Sequence, residues 1–462
     1  MTLDTPLAAG PGALKQRFSD LVLLPGDAGF DEANSPWDLS ALQQPAAVAV
    51  PRTPDDVAAI VRAAVEAGLR IAPQGTGHGA TPLARRDLTD AVLLRTTALT
   101  DVAINPERRV ARVGSGAMWD QVVSAAAPHG LTALHGSSPD VGVAGYSLGG
   151  GIGWYARKHG LAADSILAVE LVTADGREVR ADAESNPDLF WALRGGGGNF
   201  GVVTALELRL FEIPDAYAGI MLWPLTRAEN VLREWVDWTR AAPEEVTTSL
   251  RFMRIPPLPF LPDFLRGREL VVLDGAALGD DAFGAEQFAR LRALDPEIDT
   301  FGGMPAAAIT RLHMDPEEPS AAIGNSLTLG ELDAEAQRTL LSLVGPGARS
   351  SLVFAELRQL GGALARRSES AGALGSLRGQ YAGFFMGMGV TPEMAAAAEA
   401  DAAAIVLAMA PWAAGGCYLN FADEELDPRN GFDEQSWDRL RRVRAEWDPR
   451  EVFVANHLIP AA

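Results

Sequence analysis

The chain is predicted to be α+β and to fold as two units. Three observations carry this: a capped helix running into a strand after residue 53, three glycine-rich runs before residue 202, and a change of texture near residue 213. Thr53-Pro54-Asp55-Asp56 reads as an N-cap, a proline at the first helical position and an acidic first turn. Val57, Ile60, Val61 and Ala64 then recur at helical spacing. Gly68 closes the helix, and Arg70-Ile71-Ala72 runs as a strand into a glycine turn. Short strands are expected at 91–94 and 109–113, and a longer pair at 166–173 and 178–181 joined by Ala174-Asp175-Gly176. After Pro214 the glycine loops give way to Trp223, Trp235, Trp238 and Ile255-Pro256-Pro257-Leu258-Pro259, which places a boundary near residue 213. The last segment reads as an amphipathic helix with Trp437, Leu440, Val443 and Trp447 on one face, followed by Val452 to Asn456.

The chain of 462 residues exceeds what one hydrophobic core usually supports, and its hydrophobic content of 48% is ample for a buried interior. With 39 basic against 60 acidic residues the formal charge is −21, a field that repels phosphate backbones and anionic bilayers, so neither nucleic acid nor a membrane is an expected partner. Cys417 is the only cysteine, which excludes an internal disulfide or a thiolate metal cluster. No metal site is expected, because the histidines show no ligand spacing. Residues 1–10 lack a basic region followed by an apolar core, so no secretion signal is expected and the location expected is cytoplasmic. The apolar stretch 394–416 is interrupted by Glu399, Asp401 and Pro411, which reads as too polar to span a bilayer.

Chemistry concentrates in the glycine runs. Pro73-Gln74-Gly75-Thr76-Gly77-His78-Gly79 sets three glycines among polar side chains directly after a strand. A pyrophosphate needs several backbone N–H groups converging where no Cβ intervenes, and such a turn supplies them. An ordinary glycine turn with one satisfied histidine fits the same residues. A second run, 136–153, holds six glycines between residues 142 and 153, and a third, Gly195 to Gly201, precedes a strand at 202–210. Loops this permissive are entropically unfavourable unless something large orders them. Gly75-x-Gly77-x-x-Ala80 and Gly196-x-Gly198-x-x-Gly201 both match the short Rossmann fingerprint, but no helix is expected directly after either.

The order strand, GTGHG, SSPDVGVAGYSLGGGIG and GGGGNFGVVT, with Tyr418-Leu419-Asn420-Phe421 and Asp448-Pro449-x-x-Val452-Phe453 near the end, resembles the berberine-bridge-enzyme-like branch of the vanillyl-alcohol oxidase and p-cresol methylhydroxylase flavoproteins. The resemblance implies a two-part FAD-binding domain, 1–212 and 415–462, split by an inserted α+β substrate domain, 213–414. It implies an FAD-dependent oxidase that moves a hydride from a small organic molecule, an alcohol in a biosynthetic tailoring step, to flavin N5, with O₂ reoxidation giving hydrogen peroxide. A flavin dehydrogenase or a carbohydrate oxidase of the same family is the alternative, and a non-redox flavin-binding protein a further one.

By the same resemblance FAD contacts Gln74, Gly75, Thr76, Gly77 and Gly79 and is bonded covalently to His78. Ser137, Ser138, Val141, Gly142, Val143 and Gly145 follow in the second run, then Leu148, Gly149, Gly150, Gly151 and Gly153. His159, Gly160, Val203, Asn420 and Asn456 complete the set. Many relatives carry a second, cysteinyl link to the flavin where this chain has Ser137-Ser138, so a single attachment is expected. Related carbohydrate and alcohol oxidases often have a second tyrosine at the place of Phe421, and phenylalanine accepts no proton, so a base must come from elsewhere. Glu356 is the first candidate, on an alternating segment that puts it on one face with Phe354; the same residue also reads as a solvated carboxylate paired with Arg358. Tyr381 and Tyr418 are the other catalytic candidates, and His313 lies in the substrate domain with a pKa suited to proton transfer. The substrate itself and the oligomeric state are not legible.

Overall fold

Thr53 does begin a helix. In the computed structural model, which describes residues 10–259, 263–424 and 426–462, Pro54–Glu66 is helical. Thr53 Oγ1 accepts from Asp56 N at 3.1 Å while the Asp56 carboxylate accepts from Thr53 N at 3.0 Å. Such a reciprocal box stabilises a helix by about 1 kcal/mol. Residues 1–9, on which the expectation of no leader rests, lie outside the described residues.

The helix buries Val57, Ile60, Val61 and Ala64 in a core shared with a four-stranded sheet, ordered Val22–Leu23, Ala47–Ala49, Ala91–Arg95, Arg70–Gln74. The last three of these strands are mutually parallel. The free edge of Arg70–Gln74 is taken by the C-terminal segment: Ile71 N donates to Val452 O and Val454 N to Ile71 O, both at 2.8 Å. A second sheet, antiparallel throughout, runs Val102–Asn105, Val110–Gly114, Val202–Arg209, Ile166–Val172, Glu178–Asp182. Gly176, at φ 75°, makes the turn between Ile166–Val172 and Glu178–Asp182.

After both of these in sequence, and before the C-terminal segment, lies an antiparallel sheet ordered Ile298–Asp299, Asp215–Pro224, Glu269–Ala277, Val246–Arg254, Leu352–Gln359, Tyr381–Met388, Ala322–Leu329, with Gly302–Pro305 also paired to Asp215–Pro224. The helices Ala228–Thr239, Asp281–Arg292, Ala334–Val344 and Pro392–Met409 cover one face over Trp223, Phe252 and Phe385. The other face meets the first part of the chain, where Ile220, Leu222 and Val272 pack with Trp154 and Tyr155. The two-residue alternation of a strand therefore decides which side chains look toward the glycine loops.

Two local expectations change. Ala80 is followed by a single helical turn, Thr81–Ala84, because Pro82 fits a first turn and lacks the N–H that would go unpaired there. The stretch Pro392–Trp412 has a mean hydropathy of 1.4, apolar and long enough to cross a bilayer by that measure despite its charges. In this fold its Ala398, Ala402, Ile405 and Met409 pack against the inserted sheet.

Candidate active site

His78 is held on every side by groups that sequence order does not bring together. Its loop lies against Pro36 and Trp37, with Trp37 N donating to Thr76 O at 2.9 Å. Gly77 has φ 87°, and a Cβ there would lie 2.6 Å from Pro36 Cβ, so no other residue fits. The Trp37 and His78 rings stack with centroids 4.3 Å apart. Trp37 Nε1 donates to Asp140 Oδ2 at 2.5 Å, the same oxygen that lies 3.5 Å from His78 Nε2. Ser138 Oγ donates to the other Asp140 oxygen at 2.7 Å, and Thr76 Oγ1 is 2.8 Å from His78 Nδ1. Burial alone would raise the Asp140 carboxyl, but hydrogen bonds from His78, Ser138 and Trp37 outweigh it and hold the group below its ordinary pKa.

Two loops form a cradle around this cluster. Gly142 brings them together: a Cβ there would lie 3.3 Å from Thr76 Oγ1. Among the described residues, the N–H groups of Thr76, Gly77, His78 and Gly79, and of Ser138, Asp140, Val141 and Gly142, have no acceptor within the chain. Converging unpaired donors of this kind bind a dinucleotide's phosphates, so the residues present fit FAD. Asn456 donates to Gly79 O and pins the first loop from the C-terminal segment. Gln74 contributes no free amide, since it pairs with Gln43.

The rest of the second run behaves differently. A Cβ on Gly149 would lie 1.9 Å from Asn420 Oδ1, one on Gly151 2.4 Å from Tyr146 Cε1, and one on Gly153 1.8 Å from His135 O. Gly150, at φ 117°, packs on Leu374 and Tyr418. These glycines admit protein atoms. Gly145 alone among them meets nothing within 4 Å. The side chains of Val143, Leu148 and Val203 point into the hydrophobic core, leaving only their backbones for a ligand. Among the described residues neither His159, whose ring lies 4.6 Å from Phe211, nor Gly160, which ends its helix, touches the His78 cluster. The third run is a clamp: Asn199 Nδ2 donates to His457 O at 2.9 Å and its Oδ1 accepts from Ile459 N at 2.9 Å.

On the facing sheet the candidates separate. Tyr381 lies on the helix-covered face beside Trp235, its hydroxyl 2.6 Å from Thr239 Oγ1, away from the loops. Strand alternation is the reason: Tyr381 pairs with Gln359, out of phase with Glu356 and Arg358. Glu356 does face the loops, yet it is not solvated. It is fully buried, accepting from Ser249 Oγ and Arg358 Nε at 2.7 Å each, with His313 Nε2 3.7 Å away. Burial raises its pKa, but Arg358 and His313 more than offset this and hold it far below the carboxylate range, so it is a very weak base.

Behind it His313 Nδ1 sits 2.8 Å from Asp274 Oδ2, out of line for a good hydrogen bond, and Arg251 Nη2 donates to that oxygen at 2.5 Å. Burial and Arg251 disfavour the imidazolium, while Asp274, Asp315 and Glu356 favour it more strongly and raise its pKa to about 9. Tyr418 is also buried, accepting from Gly151 N at 3.0 Å and Asn420 Nδ2 at 3.2 Å. Burial pushes its phenol up to about 12 against those bonds. Phe421 stands edge-on to Tyr418 at 5.0 Å and stacks on Phe384 at 4.7 Å. Sequence reasoning missed Trp37, Asp140, Asp274 and Arg251. Asp140 lay inside the quoted SSPDVG run, but the others carry no local signal.

Residues 45–182 match the family model described as FAD binding domain, and 417–460 the one described as berberine and berberine like. (R)-6-hydroxynicotine oxidase of Paenarthrobacter nicotinovorans is 33% identical over 296 residues, 61% of this chain and 64% of that protein. The chain spans less than two thirds of the length of this and other curated relatives it matches. The BBE-like 1 protein of Physcomitrella patens shares the fold at a TM-score of 0.85 and 22% identity, covering 97% of this chain and 99% of that one. So does glucooligosaccharide oxidase of Acremonium strictum, described with a 6-S-cysteinyl, 8α-N1-histidyl FAD, at a TM-score of 0.81 and 22% identity, covering 98% and 99%.

Proposed function

We propose that the chain, which carries an FAD binding domain and a berberine-like domain on the fold of the berberine-bridge-enzyme-like flavoproteins, is an oxidase of a small organic molecule with FAD attached once, through His78. The observation that carries this is the Trp37–His78–Asp140–Thr76 cluster at the mouth of a cradle of unpaired N–H groups. Asp140, kept ionised, faces Nε2 and favours the tautomer with its proton there, which leaves the Nδ1 lone pair as the nucleophile and compensates the charge of an alkylated ring. Trp37 fixes the ring plane, and the Thr76 hydroxyl, which donates to Nδ1 in that tautomer, must turn away to free the lone pair. By the resemblance, Ser137 and Ser138 take the place of the cysteine that makes a second link, and a hydroxyl does not make it. When bound, FAD would supply the two-electron acceptor for a hydride from substrate carbon, with O₂ as the terminal oxidant giving hydrogen peroxide.

An alcohol substrate needs a proton acceptor, and the groups on the sheet are poorly poised for it: Glu356 is locked by Arg358 and Ser249, and Tyr418 stays protonated near neutrality. That observation favours a second reading, oxidation of a neutral amine, whose lone pair assists loss of hydride without a separate base. Acid precipitation of the purified protein tests the cofactor. Yellow colour is expected in the pellet, with the flavin mass on the His78 peptide, and in the supernatant for His78→Ala. A colourless protein that takes up no added FAD would overturn the reading. Anaerobic mixing with alcohol and amine panels, followed by flavin bleaching, separates the two substrate readings.

A further inference from the structure

We propose that Arg358 anchors the carboxylate of an aromatic acid, and that such acids are the substrate class of this site; the proposal rests on the flavin-oxidase reading above. Arg358 is only 7% exposed, and its fork is partly engaged. Nε donates to Glu356 at 2.7 Å, and Nη2 has marginal contacts at 3.5 Å with Ser137 Oγ and 3.4 Å with His313 Nε2. Nη1 has no partner among the described residues. A largely buried guanidinium whose one unpaired nitrogen remains open to solvent is a site for a charged acceptor, and the planar fork matches a carboxylate.

The surroundings fix the rest of the ligand. The guanidinium carbon lies 5.3 Å from the Phe421 ring centre and 5.9 Å from that of Trp154. From Phe421 an aromatic strip continues to Phe384 at 4.7 Å, stacked, and on to Phe354 at 6.0 Å. These three rings are half-buried, in contrast to the fully buried Phe385 on the sheet's opposite face, so each keeps a surface for a ligand. A planar ring lying on that strip with its acid group toward Nη1 satisfies both features, and offset ring stacking adds to the charge-assisted bond. A polyhydroxylated ligand would instead leave most of its hydroxyls against phenyl surface.

The buried carboxylates and cations behind Arg358 serve to hold it. Ser249 and His313 fix Glu356, and Asp274, itself held by Arg251, fixes His313, so the Glu356 that holds the guanidinium is itself held in place. Titration of the yellow holoprotein with benzoate, benzamide and acetate, followed by perturbation of the flavin band, tests this. Benzoate is expected to bind about tenfold or more tighter than benzamide, which lacks the charge, and than acetate, which lacks the ring. Arg358→Gln is expected to lose at least about tenfold for benzoate with little change for benzamide, and Arg358→Lys to fall between. Equal affinity for benzoate and benzamide in the unaltered protein would overturn the proposal even if the variants fail to fold. Should the protein prove colourless, the same titration by calorimetry still decides on Arg358, so failure of the flavin reading and failure of the anion site are told apart.

Discussion

His78 and His313 are held by different means, and the difference is measurable. His78 stacks on an aromatic ring with one carboxylate near Nε2, half-buried and within reach of a ligand. His313 is sealed between Asp274 and Glu356, with Arg251, Arg358 and Asp315 around it, and its folded pKa of about 9 lies above the ordinary value. A raised folded pKa means stability that is fully present below about pH 6.5, the unfolded value, and lost as pH rises through 9. For His313→Gln the loss of melting temperature relative to the unaltered protein is therefore expected to be largest near pH 6 and to shrink by pH 9.5. A gap that stays constant across that range would mean the imidazole is neutral in the folded state. Glu356 works in the opposite window: its depressed pKa gives stability above about pH 4.5 that is withdrawn on acidification.

At the scale of the element, the glycine runs divide by what their missing side chains admit. Gly153 lies under the His135 carbonyl, 1.8 Å from where a Cβ would sit, so Gly153→Ala is expected to destabilise the fold by about 1–3 kcal/mol, as overpacking does. Gly145 sits inside the short helix Val143–Leu148 and meets nothing within 4 Å. Gly145→Ala is expected to leave thermal stability unchanged or raise it by up to about 1 kcal/mol, since glycine weakens a helix interior. Thermal melts of the two variants, paired with their visible spectra, check the contrast. Equal destabilisation would mean that Gly145 also packs against protein. The strand Leu352–Gln359 shows the same logic in sheet form, where one alternation delivers Glu356 and Arg358 to the site and sends Leu357 to the core.

Across the whole molecule, the C-terminal segment is what closes the first part of the chain on itself. Arg444 and Asp448 form a fully buried pair at 2.9 Å. Asp448 also accepts from Val452 N at 2.8 Å and Phe453 N at 2.9 Å, which turns the chain into its place beside Ile71. Arg444 donates to Phe453 O at 2.7 Å and to the Asn199 carbonyl, joining the third glycine run to the same clamp. Removing one partner of a buried pair leaves the other charge uncompensated, so Asp448→Ala is expected to cost about 3–5 kcal/mol. Denaturant unfolding with limited proteolysis checks this: the cut should fall within the final thirty or so residues if the segment is released. A variant as stable as the unaltered protein would show that the clamp is not what seats the segment.

What the sequence by itself determined is what neighbouring residues settle among themselves. The capping box at Thr53, the turn at Gly176, the helix carrying Trp437 and Leu440 and the positive φ of Gly77 follow from propensity, period and sterics within a few positions. The motif set was specific enough to place His78 in an FAD-binding architecture because several weak local signals occur in one fixed order. Only the tertiary structure decided which groups meet. Trp37, His78 and Asp140 come from three separated segments, and Arg251, Asp274, His313 and Glu356 from four, brought together by strand register and by packing between the two units. The state of Glu356 shows why: the same residue is a free base or a locked ion according to the Arg358, Ser249 and His313 around it, and burial multiplies the effect of each neighbour. Sequence spacing carries no record of those distances.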